Sequence, residues 1–191
     1  MNTLISGLVI FFSVHSISII NDDWRNRMAD KTGEWVWKAI YGLFAVLGLF
    51  LIVRGYDLAR LDPVVLYSPS PWLHYPALLL LLPVFPLLLA AYLPGRIQRT
   101  TKHPMLVAAK LWATAHLLVN GTLADVALFG TFLVWAVADR ISLKHRESRP
   151  APNLPETRIN DGFAVLIGLA CYAALVLWLH VWLTGVAVIP V

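Results

Sequence analysis

Two histidines, a lysine and an asparagine fall inside one otherwise apolar stretch of the chain, from His103 through Lys110, His116 and Asn120 to Gly121. An imidazole can ligate a metal, carry a proton or link helices, and in hydrocarbon it is costly unless it has a partner. Pro104 suits a first helical turn and Gly121 the residue just past a helix end, so the spacing predicts a helix over 103–120. Along such a helix His103 and His116 are separated by about 20 Å of rise and about 220° of rotation, so they cannot share one metal. His116 lies on a face with Trp112 and Asn120, one turn to either side, whereas His103 shares a face with Lys110. The helix therefore offers two sites at two depths. A further intramembrane candidate, His15, sits with Ser13, Ser16 and Ser18 in the first apolar run.

The elements that must position these residues are set by composition. Hydrophobic residues make up 59% of the 191, charged residues only 14%, and the mean hydropathy is +0.70. That profile is an integral membrane protein, all-α, and it excludes a sizeable aqueous domain. The longest polar stretch, Asp139 to Asp161, is short and holds three prolines. A single cysteine excludes an intramolecular disulfide, and no Cys-x-x-Cys-His is present to attach haem covalently. The net charge of +4 follows from membrane topology, and no nucleic-acid partner is expected.

One membrane domain over 1–191 is expected, with six spans at about 4–20, 35–53, 71–93, 103–120, 122–138 and 162–184. No basic segment precedes Leu4, so the first run reads as a retained helix and not a cleaved signal. Asn21 to Glu34 reads as an interfacial connection. The third span, interrupted by Pro76, Pro83 and Pro86, should be kinked. Spans four and five form an antiparallel hairpin around Gly121. The first, third and fifth loops carry eleven of the 15 lysines and arginines, which puts those loops in the cytoplasm and both termini outside. On that frame His15 and His116 lie some 10 Å apart in depth. They are either the ligands of an iron held between facing helices, low-spin if both bind, or interhelical hydrogen-bond links. His74 and His180 form a rival pair nearer the outer face. Cys171 reads as a small mid-span hydrophobe. Lys38 reaches for the surface, and Lys110 does the same or pairs with a cofactor carboxylate. Arg25 and other cytoplasmic arginines suit topology and could also bind haem propionates. Asn120 either caps the helix or orients His116.

The residues His103-Pro104, Trp112, His116-Leu117-Leu118, Asn120-Gly121 and Leu128-Phe129-Gly130 through Trp135, together with His15, resemble the NnrU family of bacterial membrane proteins. That family is named for an association with nitrite and nitric oxide reduction and is related to the plastid zeta-carotene isomerases. The resemblance implies haem b with His15 and His116 as axial ligands, His103 as an accessory residue, and a multi-pass protein of the bacterial inner membrane. In the second span the family tends to place Tyr-Arg where this chain has Trp37-Lys38, which keeps the charge but loses the guanidinium fork. The functions implied are haem-dependent cis-trans isomerisation of a lipophilic polyene or a nitrite- or nitric oxide-linked redox role. The alternative is a non-catalytic membrane protein supporting assembly of denitrification or respiratory enzymes. Membrane lipid and a lipophilic small molecule are the expected partners.

Overall fold

In a computed structural model, which describes residues 1–146, 154–157 and 159–188, the chain is helical almost throughout. In order come α1 (Asn2–Ile20), α2 (Asp22–Thr32) and α3 (Glu34–Ala59), then a 3₁₀ turn (Pro71–Leu73), α4 (His74–Leu81) and α5 (Val84–Ala90). They are followed by α6 (Arg96–Thr101), α7 (Pro104–Val119), α8 (Leu123–Ser142) and α9 (Asn160–Ala174). A π-helical turn (Leu175–Leu179) then joins α9 to α10 (His180–Thr184). One isolated antiparallel bridge joins Val65 and Thr122, and no strand occurs among the described residues. Arg149 and Arg158 of the fifth loop lie outside the described residues.

Several boundaries have local causes. Asn21 is extended, and its side chain accepts from Trp24 N at 2.9 Å, while Asp22 and Asp23 occupy the first turn of the next helix. That is an N-cap with acidic residues at the positive end of the helix dipole. The segment expected as a plain connection is therefore mostly α2, and Gly33, at φ 85°, separates it from α3. Helix α3 continues beyond its apolar run to Ala59 because no proline interrupts it before Pro63. The third span is divided at Pro83, as its prolines predict.

Four helical segments are long and apolar enough to cross a membrane: Asn2–Ile20, Glu34–Ala59, Pro71–Ala90 and Asn160–Thr184. Pro104–Val119 is apolar but shorter. Helix α8 has the length, but it carries Asp125, Asp139 and Arg140. Large apolar side chains stand on the outside, including Trp35 at 85%, Val46 at 68% and Trp182 at 79% exposed. In water such faces would aggregate, whereas in a bilayer they meet lipid. Cys171 is exposed in the same way, on the outer side of its helix.

The chain forms two compact units. The first comprises Met1–Ser70 and His116–Ser148. Here α1 lies directly on α3 along a glycine seam. A Cβ on Gly7 would stand 2.5 Å from Ile52 N, one on Gly48 would stand 2.7 Å from Phe11 N, and one on Gly55 would strike the Leu4 backbone. Small residues let the two helix backbones approach to contact distance, which is how membrane helices gain packing energy without a hydrophobic drive. Helix α8 packs on both of them. The core contains Leu4, Leu8 and Phe12 of α1, Ile52 of α3, and Ala124, Leu128, Phe129 and Ala136 of α8.

The second unit comprises Pro71–Ala115 and Arg149–Val191. Its main contact is α5 on α9, where Gly168 admits the Pro86 ring. Val84, Leu87 and Ala108 form a core against which Trp112 packs. Asp161 accepts from Arg96 N at 2.8 Å and from Ile97 N at 3.1 Å, holding the start of α6.

Candidate functional site in the first unit

His15 is enclosed by aromatic rings. Its Nδ1 lies 2.7 Å from the carbonyl oxygen of Phe11, one turn earlier on α1. A carbonyl only accepts, so Nδ1 carries the proton and the lone pair resides on Nε2. The ring stacks on Phe11 at 4.0 Å between centroids, with Tyr41 of α3 at 5.1 Å and Trp135 of α8 edge-on at 5.8 Å. Aromatic side chains from three helices thus surround one imidazole whose tautomer is set by the backbone.

One turn along α8 from Trp135 lies Asp139, which is 9% exposed. Arg146 folds back onto it with Nη2 2.5 Å from Oδ1, and its Nε donates to Ser142 Oγ at 3.0 Å. Both side chains of the pair are mostly buried, so each charge depends on the other. The indole Nε1 of Trp135 is buried with no hydrogen-bond acceptor, alone in this respect among the described residues. Sequence reasoning passed over Tyr41, Trp135, Asp139 and Arg146 as parts of this site. The signal was available: Trp135 and Asp139 are four apart on one face of a helix.

His116 ends α7 in a different setting. Its ring stacks on Phe129 at 4.4 Å, and Phe129 meets Tyr56 edge-on. Tyr56 donates its hydroxyl to Asp125 Oδ1, while Asp125 Oδ2 accepts from Thr122 N at 2.8 Å and Thr122 Oγ1 at 2.6 Å. Thr122 Oγ1 in turn accepts from Asp125 N, completing a capping box at the start of α8. The Tyr67 hydroxyl donates to the carbonyls of Leu117 and Asn120. The Asn120 side chain donates to the His116 carbonyl at 3.0 Å, so of the two roles open to it the capping one is seen.

The two imidazoles meet α8 at Trp135 and Phe129, six residues apart, or about 9 Å along the helix. Phe132 stands between those levels, against Phe11 and Phe12. Two ligands of one metal, each bonded at roughly 2 Å, would bring their nitrogens within about 4 Å. With Nδ1 engaged by the Phe11 carbonyl, His15 has one ring nitrogen, Nε2, that it could offer to a haem iron. His116 would have to close that offset to share the iron.

The remaining sequence candidates are dispersed. Lys38 pairs with Glu34 at 2.9 Å and lies over Trp35, both exposed. Arg25 lies over the Trp37 ring at 5.8 Å. In the second unit, Trp112 is a packing residue, and the backbone of His103 accepts from Leu106 N and Val107 N at the start of α7. His74 and His180 turn to nearby carbonyls, of Pro71 at 3.0 Å and Val186 at 2.8 Å. No cluster of three or more metal-ligating side chains occurs among the described residues.

The family model for the NnrU protein matches residues 3–188. No curated protein and no solved structure matches the chain.

Proposed function

The chain belongs to the NnrU family, and from that premise we propose that it is a haem b-binding protein of the bacterial inner membrane whose iron ligand is Nε2 of His15. The observation that carries the reading is the Nδ1 bond from His15 to the Phe11 carbonyl inside a three-helix aromatic cage. Ligating histidines characteristically donate their other ring nitrogen to a carbonyl or carboxylate, which fixes the tautomer and raises ligand basicity. Haem bound there would supply a redox-active iron for isomerising a lipophilic polyene or for responding to nitric oxide. The protein's part is to hold the imidazole. Phe11 sets its rotation, Tyr41 and Trp135 wall it off, and the Asp139–Arg146 pair places balanced charge one turn away.

A second reading has its own support. His15 touches aromatics of both α3 and α8 and so serves as an interhelical link without any cofactor. On that reading the protein is a non-catalytic partner in assembling denitrification or respiratory enzymes.

Visible spectra of detergent-purified protein, oxidised and dithionite-reduced, separate the two. A Soret band abolished in His15→Ala and retained in His116→Ala supports single ligation. Loss in both variants would move the assignment to a bis-histidine iron. A colourless wild type, folded and expressed with haem precursor, overturns the haem reading and leaves the assembly role.

A further inference from the structure

Two grooves run end to end where α1 meets α8. The first, about 530 Å³, is walled by Phe12, Ile20, Val134 and Trp135 among other mainly apolar side chains. The second, about 520 Å³, is lined by Ser18, Asp22, Ser142, His145 and Arg146. Ile19 and Ala138 wall both, so one cleft passes from hydrocarbon-like to charged chemistry.

Three details describe an occupant. Gly130 lines the apolar part, yet a Cβ there would meet nothing within 4 Å. Glycine is among the poorest residues for a helix interior, so α8 keeps open a space that its own packing does not require. Next, the buried Trp135 Nε1 has no acceptor among the described residues. A buried N–H in a bilayer is costly without an acceptor, and an ester carbonyl in the groove would supply one. Finally, the Arg146 guanidinium sits beside Asp139, whose backbone lies one helical turn, about 6 Å along α8, from that of Trp135, and two bonds to the protein leave it further donors. A glycerol backbone spans such a distance between an ester carbonyl and a phosphate.

We propose that this cleft binds one glycerophospholipid with an amine-bearing headgroup. An acyl chain lies past Gly130 and Val134, and an ester carbonyl accepts from Trp135 Nε1. The phosphate meets Arg146 and His145, and the head amine meets Asp22. The apolar-to-charged order of the cleft and the presence of both charge signs at its polar end select a zwitterionic lipid over a quinone. The site does not depend on the haem reading.

Native mass spectrometry of the delipidated full-length protein, offered equimolar phosphatidylethanolamine, phosphatidylglycerol and a menaquinone, tests it. Wild type should retain one phosphatidylethanolamine per chain in preference to the others. Gly130→Leu, which fills the apolar part, should lower retention on the order of tenfold or more. Trp135→Phe keeps the ring and removes the donor, and should weaken retention about fivefold. Circular dichroism should show wild-type helicity for both, and Trp135→Phe carries the test alone if the leucine variant misfolds. Equal retention by folded variants and wild type overturns the site. Preferential quinone binding, or no preference for the amine headgroup, overturns the assigned ligand.

Discussion

Asp125 is where a single substitution should most weaken the first unit. It is 4% exposed, and its carboxylate accepts from Tyr56 OH, Thr122 N and Thr122 Oγ1, so it joins the start of α8 to the last turn of α3. Asp125→Ala strands the tyrosine hydroxyl and the capping N–H in a place without water. At roughly 1–3 kcal/mol for each unsatisfied buried group, the cost is about 3–5 kcal/mol. For a chain of this size that corresponds to a melting temperature lower by on the order of 10 °C. Asp125→Asn should be much milder. Its carbonyl can keep the Thr122 bonds while its amide faces Tyr56, whose hydroxyl turns to accept. A loss of about 1 kcal/mol is expected there. Thermal unfolding in detergent, followed by tryptophan fluorescence and by circular dichroism, reads both variants. An alanine variant melting within about 2 °C of wild type, or an asparagine variant as weak as the alanine, would refute the reasoning.

The glycine seam and the buried ion pair give two more expectations. Gly48→Leu forces α1 from α3 and should destabilise by at least the ~1–3 kcal/mol of ordinary overpacking, whereas Gly42→Leu, where a Cβ meets nothing within 4 Å, should melt like wild type. Arg146→Leu leaves the Asp139 carboxylate without its partner and should cost about 3–5 kcal/mol. The double variant Asp139→Asn/Arg146→Leu should recover most of that loss, and a thermal-shift double-mutant cycle with no coupling would contradict the pairing.

Much of the helical framework was legible because apolar runs in a bilayer have few alternatives. The first run, the Pro104–Gly121 helix and the proline-divided third span appear close to where their residues placed them. Helix α2 was missed because charge was read as loop, although Asn21 with Asp22 and Asp23 spelled a cap and a first turn. The capping box Thr122-x-x-Asp125 went unread at the start of the expected fifth span, although Thr and Asp stand at capping-box spacing. The candidate site was half visible. His15 stood out as a polar residue in an apolar run, but its surroundings come from residues 41 and 135, and no local pattern announces such distant partners. Lys38 and Arg25, drawn in by charge and by analogy, lie over the rings of Trp35 and Trp37.

The glycine seam also bears on how the protein is made. Both of its helices are complete once residue 59 has been synthesised, with only α2 between them. The α1–α3 pair can therefore close in the membrane while the rest of the chain is still on the ribosome, without waiting for a later span. Helix α8 arrives more than sixty residues afterwards and finds a finished surface with His15 already seated on the Phe11 carbonyl. A lesion in the seam should thus act during biogenesis, presenting the insertion machinery with two unjoined helices before any downstream segment can rescue them.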